Sequence, residues 1–153
     1  MGAAEDKLEI MELLSRYSHA ADGAFGTAES WADVFAEDGT FHARAGQADE
    51  VIIRGRERLV AFATRVFLTR GGRAAPRQNR HHQCTTVFQE LTADRAHTRT
   101  YLMTTNVAEG APPLVGLTSV YEDEIVRTGQ GWRIQYRKIW PDVRGVLSDI
   151  RRR

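Results

Sequence analysis

The chain has 153 residues, 42% hydrophobic and 27% charged, the composition of a single soluble domain with one core. Its 21 basic and 20 acidic residues leave a net charge of +1, which argues against a nucleic-acid surface built on a concentrated basic patch. One cysteine, Cys84, excludes an internal disulfide and fits a reducing cytoplasm, and no apolar run approaches the roughly 18 residues of a membrane span.

Met1 to Asp6 is polar and acidic, unlike a signal peptide. Residues 5 to 22 are predicted as a helix: Leu8, Met11, Leu14 and Ala21 fall at helical spacing, and Ile10, Leu13 and Tyr17 widen the stripe. Gly23 is a stop signal, which leaves Asp22 at the helix C-terminus. A carboxylate there is disfavoured by about 0.3–1 kcal/mol, so a hydrogen bond or a cationic partner should compensate.

A second, short helix follows, capped by Thr27 or Ser30, with Trp31, Val34 and Phe35 as its apolar side. Glu37-Asp38-Gly39 reads as a turn, Thr40–Ala43 as a short strand, and Val51–Ile53 as an extended piece before Gly55. Residues 56 to 70 are amphipathic through Leu59, Phe62, Ala63, Val66 and Phe67, and Gly71-Gly72 ends that helix. The polar linker to Asn79, with Pro76, is expected to be mobile.

From Arg80 onward the pattern changes to strands: 80–91, 95–107, 114–127 and 132–140, joined by short turns. Antiparallel neighbours are the economical arrangement. The tail, including Arg151–Arg153, reads as solvated. Helices first and strands afterwards imply α+β: a cone-shaped barrel in which a curved antiparallel sheet wraps around the N-terminal helices and leaves an apolar cavity. The chain is expected to form one domain, with a core of about residues 5–141 and a tail at 142–153. No GxGxxG, GxxxxGK or GxSxG motif is present, which removes the main support for dinucleotide, phosphate-loop and α/β-hydrolase chemistry.

The first of these strands carries Arg80-His81-His82-Gln83-Cys84-Thr85-Thr86-Val87-Phe88. Strand side chains alternate, so one of His81 and His82 faces a cavity and the other an outer face. A histidine fixed on a rigid strand over an apolar cavity is suited to act as a general base. Cys84 reads as a small packed residue, Tyr101 as core, and His19, His42 and His97 as surface or packing residues. Arg137 shares a face by parity with Arg133 and Gln135, and parity leaves open which face that is. No two-His-one-carboxylate spacing suggests a metal site.

Tyr17-Ser18-His19-Ala20-Ala21-Asp22, Trp31–Gly39, Gly55, Arg80-His81, Tyr121–Arg127 and Gly131-Trp132-Arg133-Ile134 with Arg137 together resemble the SnoaL-like branch of the nuclear transport factor 2-like superfamily. The resemblance runs from about Leu8 to Pro141 and points toward scytalone dehydratase and hexachlorocyclohexane dehydrochlorinase. It implies a cofactor-independent lyase or isomerase acting on a hydrophobic, cyclic small molecule. His81 would remove a proton and Asp22 would orient it, while Tyr17 and Arg137 would polarise a substrate oxygen or hold a leaving group; Trp31 and Phe35 read from their own pattern as core residues that would bind an apolar ring wherever they reach the cavity mouth. The dehydrochlorinase has a lysine where this chain has Tyr17. Halide stabilisation by that residue is therefore lost, and the tyrosine hydroxyl better suits donation to a carbonyl or hydroxyl oxygen. The same fold also hosts non-catalytic binding proteins and the small subunits of ring-hydroxylating oxygenases, and both alternatives stay open. Open strands and an apolar sheet face point to a homodimer or homotrimer.

Overall fold

The computed structural model describes residues 2–22, 26–71 and 77–142, and all of their side chains except those of 67–71 and 77. Helix α1 runs Ala3–Ala21, and its first turn is tied by the Gly2 N–H donating to Glu5 at 2.8 Å. Its buried stripe is Ile10, Leu13, Leu14, Tyr17 and Ala21, continued toward the N-terminus by Asp6. The expected contribution of Leu8 and Met11 is therefore corrected: Leu8 is 71% exposed and Met11 is also exposed. Leu8 lies about 200° around the helix from Ile10, so both cannot face one core. The polar Asp6 takes the inward position, paired with Arg127 and the Trp132 indole N–H.

Helix α2 is only Ala28–Ala32, with Thr27 as its cap: Ser30 N–H donates to Thr27 Oγ1 at 3.2 Å and Thr27 N–H to Ser30 Oγ at 2.8 Å. Gly26 lets the chain pass over α1, because a Cβ there would lie 2.4 Å from the Ala20 Cα. Phe35, expected in this helix, instead opens strand β1 (Phe35–Ala43). The reason is a backbone bond: Ile134 N–H donates to Val34 O at 2.9 Å, which draws the segment into the sheet immediately after α2. The expected turn at Glu37-Asp38-Gly39 lies inside β1, where its register shifts between Phe35 and Thr40.

The remaining elements are β2 (Val51–Arg54), α3 (Arg56–Gly71), β3 (Arg77–Leu91), β4 (Arg95–Ala108), β5 (Leu114–Thr128) and β6 (Gly131–Pro141). They form a curved, open six-stranded sheet of order β2-β1-β6-β5-β4-β3. The meander β3–β4–β5–β6 is antiparallel as expected, but β1 joins β6 in parallel, so the sheet is mixed. Helix α1 packs against β3 and β6, and α3 against β1 and β2. The architecture is α+β, with the helices on the concave face.

Two bulges decide which side chains enter that face. In β3 the register shifts after Cys84, and Thr85 takes a φ of 54°. Cys84 and Tyr101, expected inside, both point outward and are exposed, beside His82, Val87 and Met103. In β6 the register shift leaves Gln135 as an extra residue between Ile134 and Tyr136. Parity inverts there, so Arg137 turns inward and does not share a face with Arg133 and Gln135. The stop at Gly23, the linker after α3 and the tail beyond Asp142 lie outside the described residues. No described helix is long and apolar enough to cross a membrane.

Candidate active site

Between the helices and the concave face lies a cavity of about 630 Å³. Its wall is mostly apolar and aromatic: Tyr17 and Ala21 from α1, Trp31 from α2, Phe41 and Ala43 from β1, and Phe62, Ala63 and Val66 from α3. The sheet adds His81, Leu102, Leu117, Tyr121, Ile139 and Pro141, while Arg44, Gln47 and Asp142 supply polar groups.

His81 reaches this cavity because it stands before the β3 bulge on the inward parity, while His82 points out and meets Thr105 Oγ1 at 2.9 Å. Asp22 terminates α1 beside β3. Its Oδ1 lies 2.5 Å from His81 Nδ1, and its Oδ2 accepts the His81 backbone N–H at 3.1 Å. The imidazole and carboxylate side chains are only 11% and 8% exposed. These bonds are the compensation that a carboxylate at a helix C-terminus requires. With Nδ1 engaged by Asp22, Nε2 is the ring nitrogen left for chemistry, and the pair has the base-and-orienter geometry of a proton-transfer dyad.

Tyr17 projects from α1 one turn before Asp22, with its ring edge-on to His81 at 6.4 Å and to Tyr121 at 6.0 Å. Burial pushes the Tyr17 phenol above its ordinary value, partly offset by the Arg137 charge and a hydrogen bond with Tyr121. Burial raises Tyr121 further. Both phenols therefore remain neutral donors at physiological pH.

Arg137 lies over both rings, 4.0 Å from the Tyr17 centroid and 4.3 Å from that of Tyr121. It is fully buried and grips Asp123 with two bonds of 2.7 Å. Burial works against its charge, but the Asp123 carboxylate outweighs this and keeps the guanidinium protonated. Arg137 is not on the cavity wall. It stands one layer behind the two tyrosines, with Nη2 3.4 Å from Gln83 Oε1. Gln83 in turn donates to Leu14 O and Ser18 Oγ, both at 2.7 Å, which locks β3 to α1 beside the dyad.

Of the side chains expected at the site, Tyr17, Trp31 and His81 line the cavity and Asp22 backs His81. Phe35 does not reach the wall; it packs behind Trp31 at 5.1 Å and Tyr17 at 6.2 Å. Sequence reading missed Tyr121, which alternation along β5 puts on the buried face with Asp123 and Ile125. It also missed Arg44, Gln47 and Phe41. His42 is buried on the other face of β1, with Nδ1 2.6 Å from the Tyr136 hydroxyl. Among the described residues, no group of three or more His, Cys, Asp or Glu side chains converges to hold a metal ion.

The family model for the SnoaL-like domain matches residues 2–138. Comparison with curated protein sequences gives no significant match. Among solved structures, the chain is similar to an aspartate-to-asparagine variant of Rv3472, a function-unknown protein of Mycobacterium tuberculosis. That match is 28% identical with a TM-score of 0.70 and covers 92% of this chain and 77% of the other. Aln2 from a Streptomyces species is 24% identical, covering 100% and 99% of the two chains with a TM-score of 0.74. ActVI-ORFA from Streptomyces coelicolor is 19% identical, covering 89% and 96% with a TM-score of 0.74. The last two are similar in fold. The family includes polyketide cyclases and isomerases, and its members bind small molecules. The match across nearly the whole described chain assigns this protein to the SnoaL-like domain family.

Proposed function

We propose that the protein is a cofactor-independent lyase or isomerase acting on a hydrophobic, cyclic small molecule. The observation that carries this reading is the buried His81–Asp22 pair, with its free ring nitrogen on the wall of an apolar cavity. His81 Nε2 takes a proton from a carbon next to a carbonyl, and the electron pair of the broken C–H bond moves toward the carbonyl oxygen. Tyr17 donates a hydrogen bond to that oxygen as its charge grows, and Asp22 stabilises the imidazolium formed at the same moment. The protonated His81 then returns the proton, either to another carbon of the ring system, which is isomerisation, or to a departing hydroxyl that leaves as water, which is dehydration. Arg137 acts here by holding Tyr17 rather than by touching substrate, since it lies behind the Tyr17 ring and off the cavity wall, with Nε and Nη2 on Asp123.

The test is hydrogen–deuterium exchange at carbon, followed by NMR, in a panel of bicyclic ketones that includes 2-tetralone. The wild type is expected to exchange acidic C–H positions of a bound ketone. His81→Ala should slow this about 100- to 10,000-fold with binding retained. Equal exchange in His81→Ala, or tight binding with no exchange by the wild type, would leave the cavity as a binding site only.

A further inference from the structure

Apart from His81, the two tyrosine hydroxyls and Asp142, the polar groups on the cavity wall come from the segment between β1 and β2. There Arg44 and Gln47 stand at the exposed rim of the cavity, and Arg44 is the one Lys or Arg side chain on the lining among the described residues. Arg44 is also one of two non-glycine residues with positive φ among the described residues, at 59°. Such a conformation persists only where the surroundings enforce it, and the surroundings here do. Ala45 is buried and its N–H donates to Ile139 O at 2.9 Å; Gln47 N–H donates to Arg44 O at 3.0 Å. Gly46 N–H donates to the Glu50 carboxylate at 3.0 Å, and the same carboxylate lies 3.3 Å from His42 Nε2 on the outer side. The backbone that aims Arg44 is therefore pinned from both faces of the sheet.

The guanidinium itself is held weakly. Its partner is Asp49 at 2.7 Å, and the two side chains are 53% and 59% exposed. An exposed pair of this kind is close to neutral in energy and exchanges readily for a better anion. His81 sits on β3 and Arg44 follows β1, with three strands between them, so the two groups belong to opposite sides of the concave face.

We infer that Arg44 is a specificity residue that selects ligands carrying an anionic group, a carboxylate or sulfonate, on the end of the apolar body remote from His81. Binding of such a ligand breaks the contact with Asp49 and replaces it with a bidentate one to the ligand. This assignment rests on the proposed reading in that the substrate must occupy the same cavity, but it is tested by binding alone, without turnover.

The probes are 8-anilinonaphthalene-1-sulfonate and its neutral counterpart N-phenyl-1-naphthylamine, titrated by fluorescence against the full chain. The two should compete for one site in the wild type. Arg44→Asn keeps a residue that tolerates positive φ and removes the guanidinium. It should weaken the sulfonate about tenfold and leave the neutral dye within about twofold. Asp49→Asn, which frees Arg44, should tighten the sulfonate severalfold. Absence of sulfonate binding, absence of competition, or equal effects of Arg44→Asn on both dyes would overturn the assignment. The dye titrations involve no turnover, whereas the carbon-exchange assay does, so a failed dehydratase or isomerase reading is distinguishable from a failed anion site.

Discussion

Replacing Arg137 with methionine isolates the energetics of the layer behind the cavity. Arg137 and Asp123 are both fully shielded, with side-chain exposures of 0%. Removing one partner strands a desolvated carboxylate, a loss of about 3–5 kcal/mol. Contacts with the Tyr17 and Tyr121 rings add to the cost, but a methionine sulfur recovers part of them. A net cost of about 4 kcal/mol follows, which for a chain of this length lowers Tm by about 8–16 °C. Asp123→Leu combined with Arg137→Met removes both charges and should return to within about 2 kcal/mol of the wild type. Thermal and urea denaturation of the three proteins read this directly, and Asp123→Asn provides a milder single change should Arg137→Met not fold. A loss of Tm below about 3 °C in the single variants, or a double variant no better than either, would refute a desolvated ion pair under the tyrosines.

Tyr17→Phe keeps the ring on Arg137 and removes one donor, so turnover of an exchanging ketone should fall about 100-fold with little change in its Kd, read by the same NMR exchange assay. The Asp6 carboxyl is held below its ordinary 3.8 chiefly by the hydrogen bond from Arg127. Its contribution to stability is therefore fully present above the unfolded value and is lost as pH falls through the lower folded value. Denaturation of Asp6→Asn across the acid range should show a constant deficit at neutral pH that narrows below about pH 4; a pH-independent deficit would contradict the assigned pairing.

Much of this was legible because it depends on local pattern. The order of helices and strands follows from periodicity, and the need for a partner at Asp22 follows from the helix dipole. What was not legible was set by single-residue irregularities. Arg137 turns in rather than sharing a face with Gln135, which follows from a bulge that no turn residue announces, Gln135 being an ordinary strand residue by propensity. Cys84 stands before the β3 bulge and turns out by plain alternation with the inward His81. Phe35 was misread for a different reason. Its helical spacing from Trp31 is real, but a non-local backbone bond from Ile134 to Val34 overrides it.

These irregularities also bear on how an apolar cavity would accommodate the proposed proton transfer. Charge appears in two places during the proposed reaction, on the imidazole and on the substrate oxygen, and an apolar wall solvates neither. The β3 strand before its bulge delivers His81 to the carboxylate that ends α1, so the cation forms already paired. The β6 bulge turns Arg137 under Tyr17 and Tyr121, so the donors facing the oxygen rest on a fixed positive charge that Asp123 prevents from entering the cavity. A straight β6 would put that arginine on the outer face and leave the phenols with no countercharge behind them. The bulged register of β6 is therefore as much a requirement of the proposed chemistry as the histidine itself.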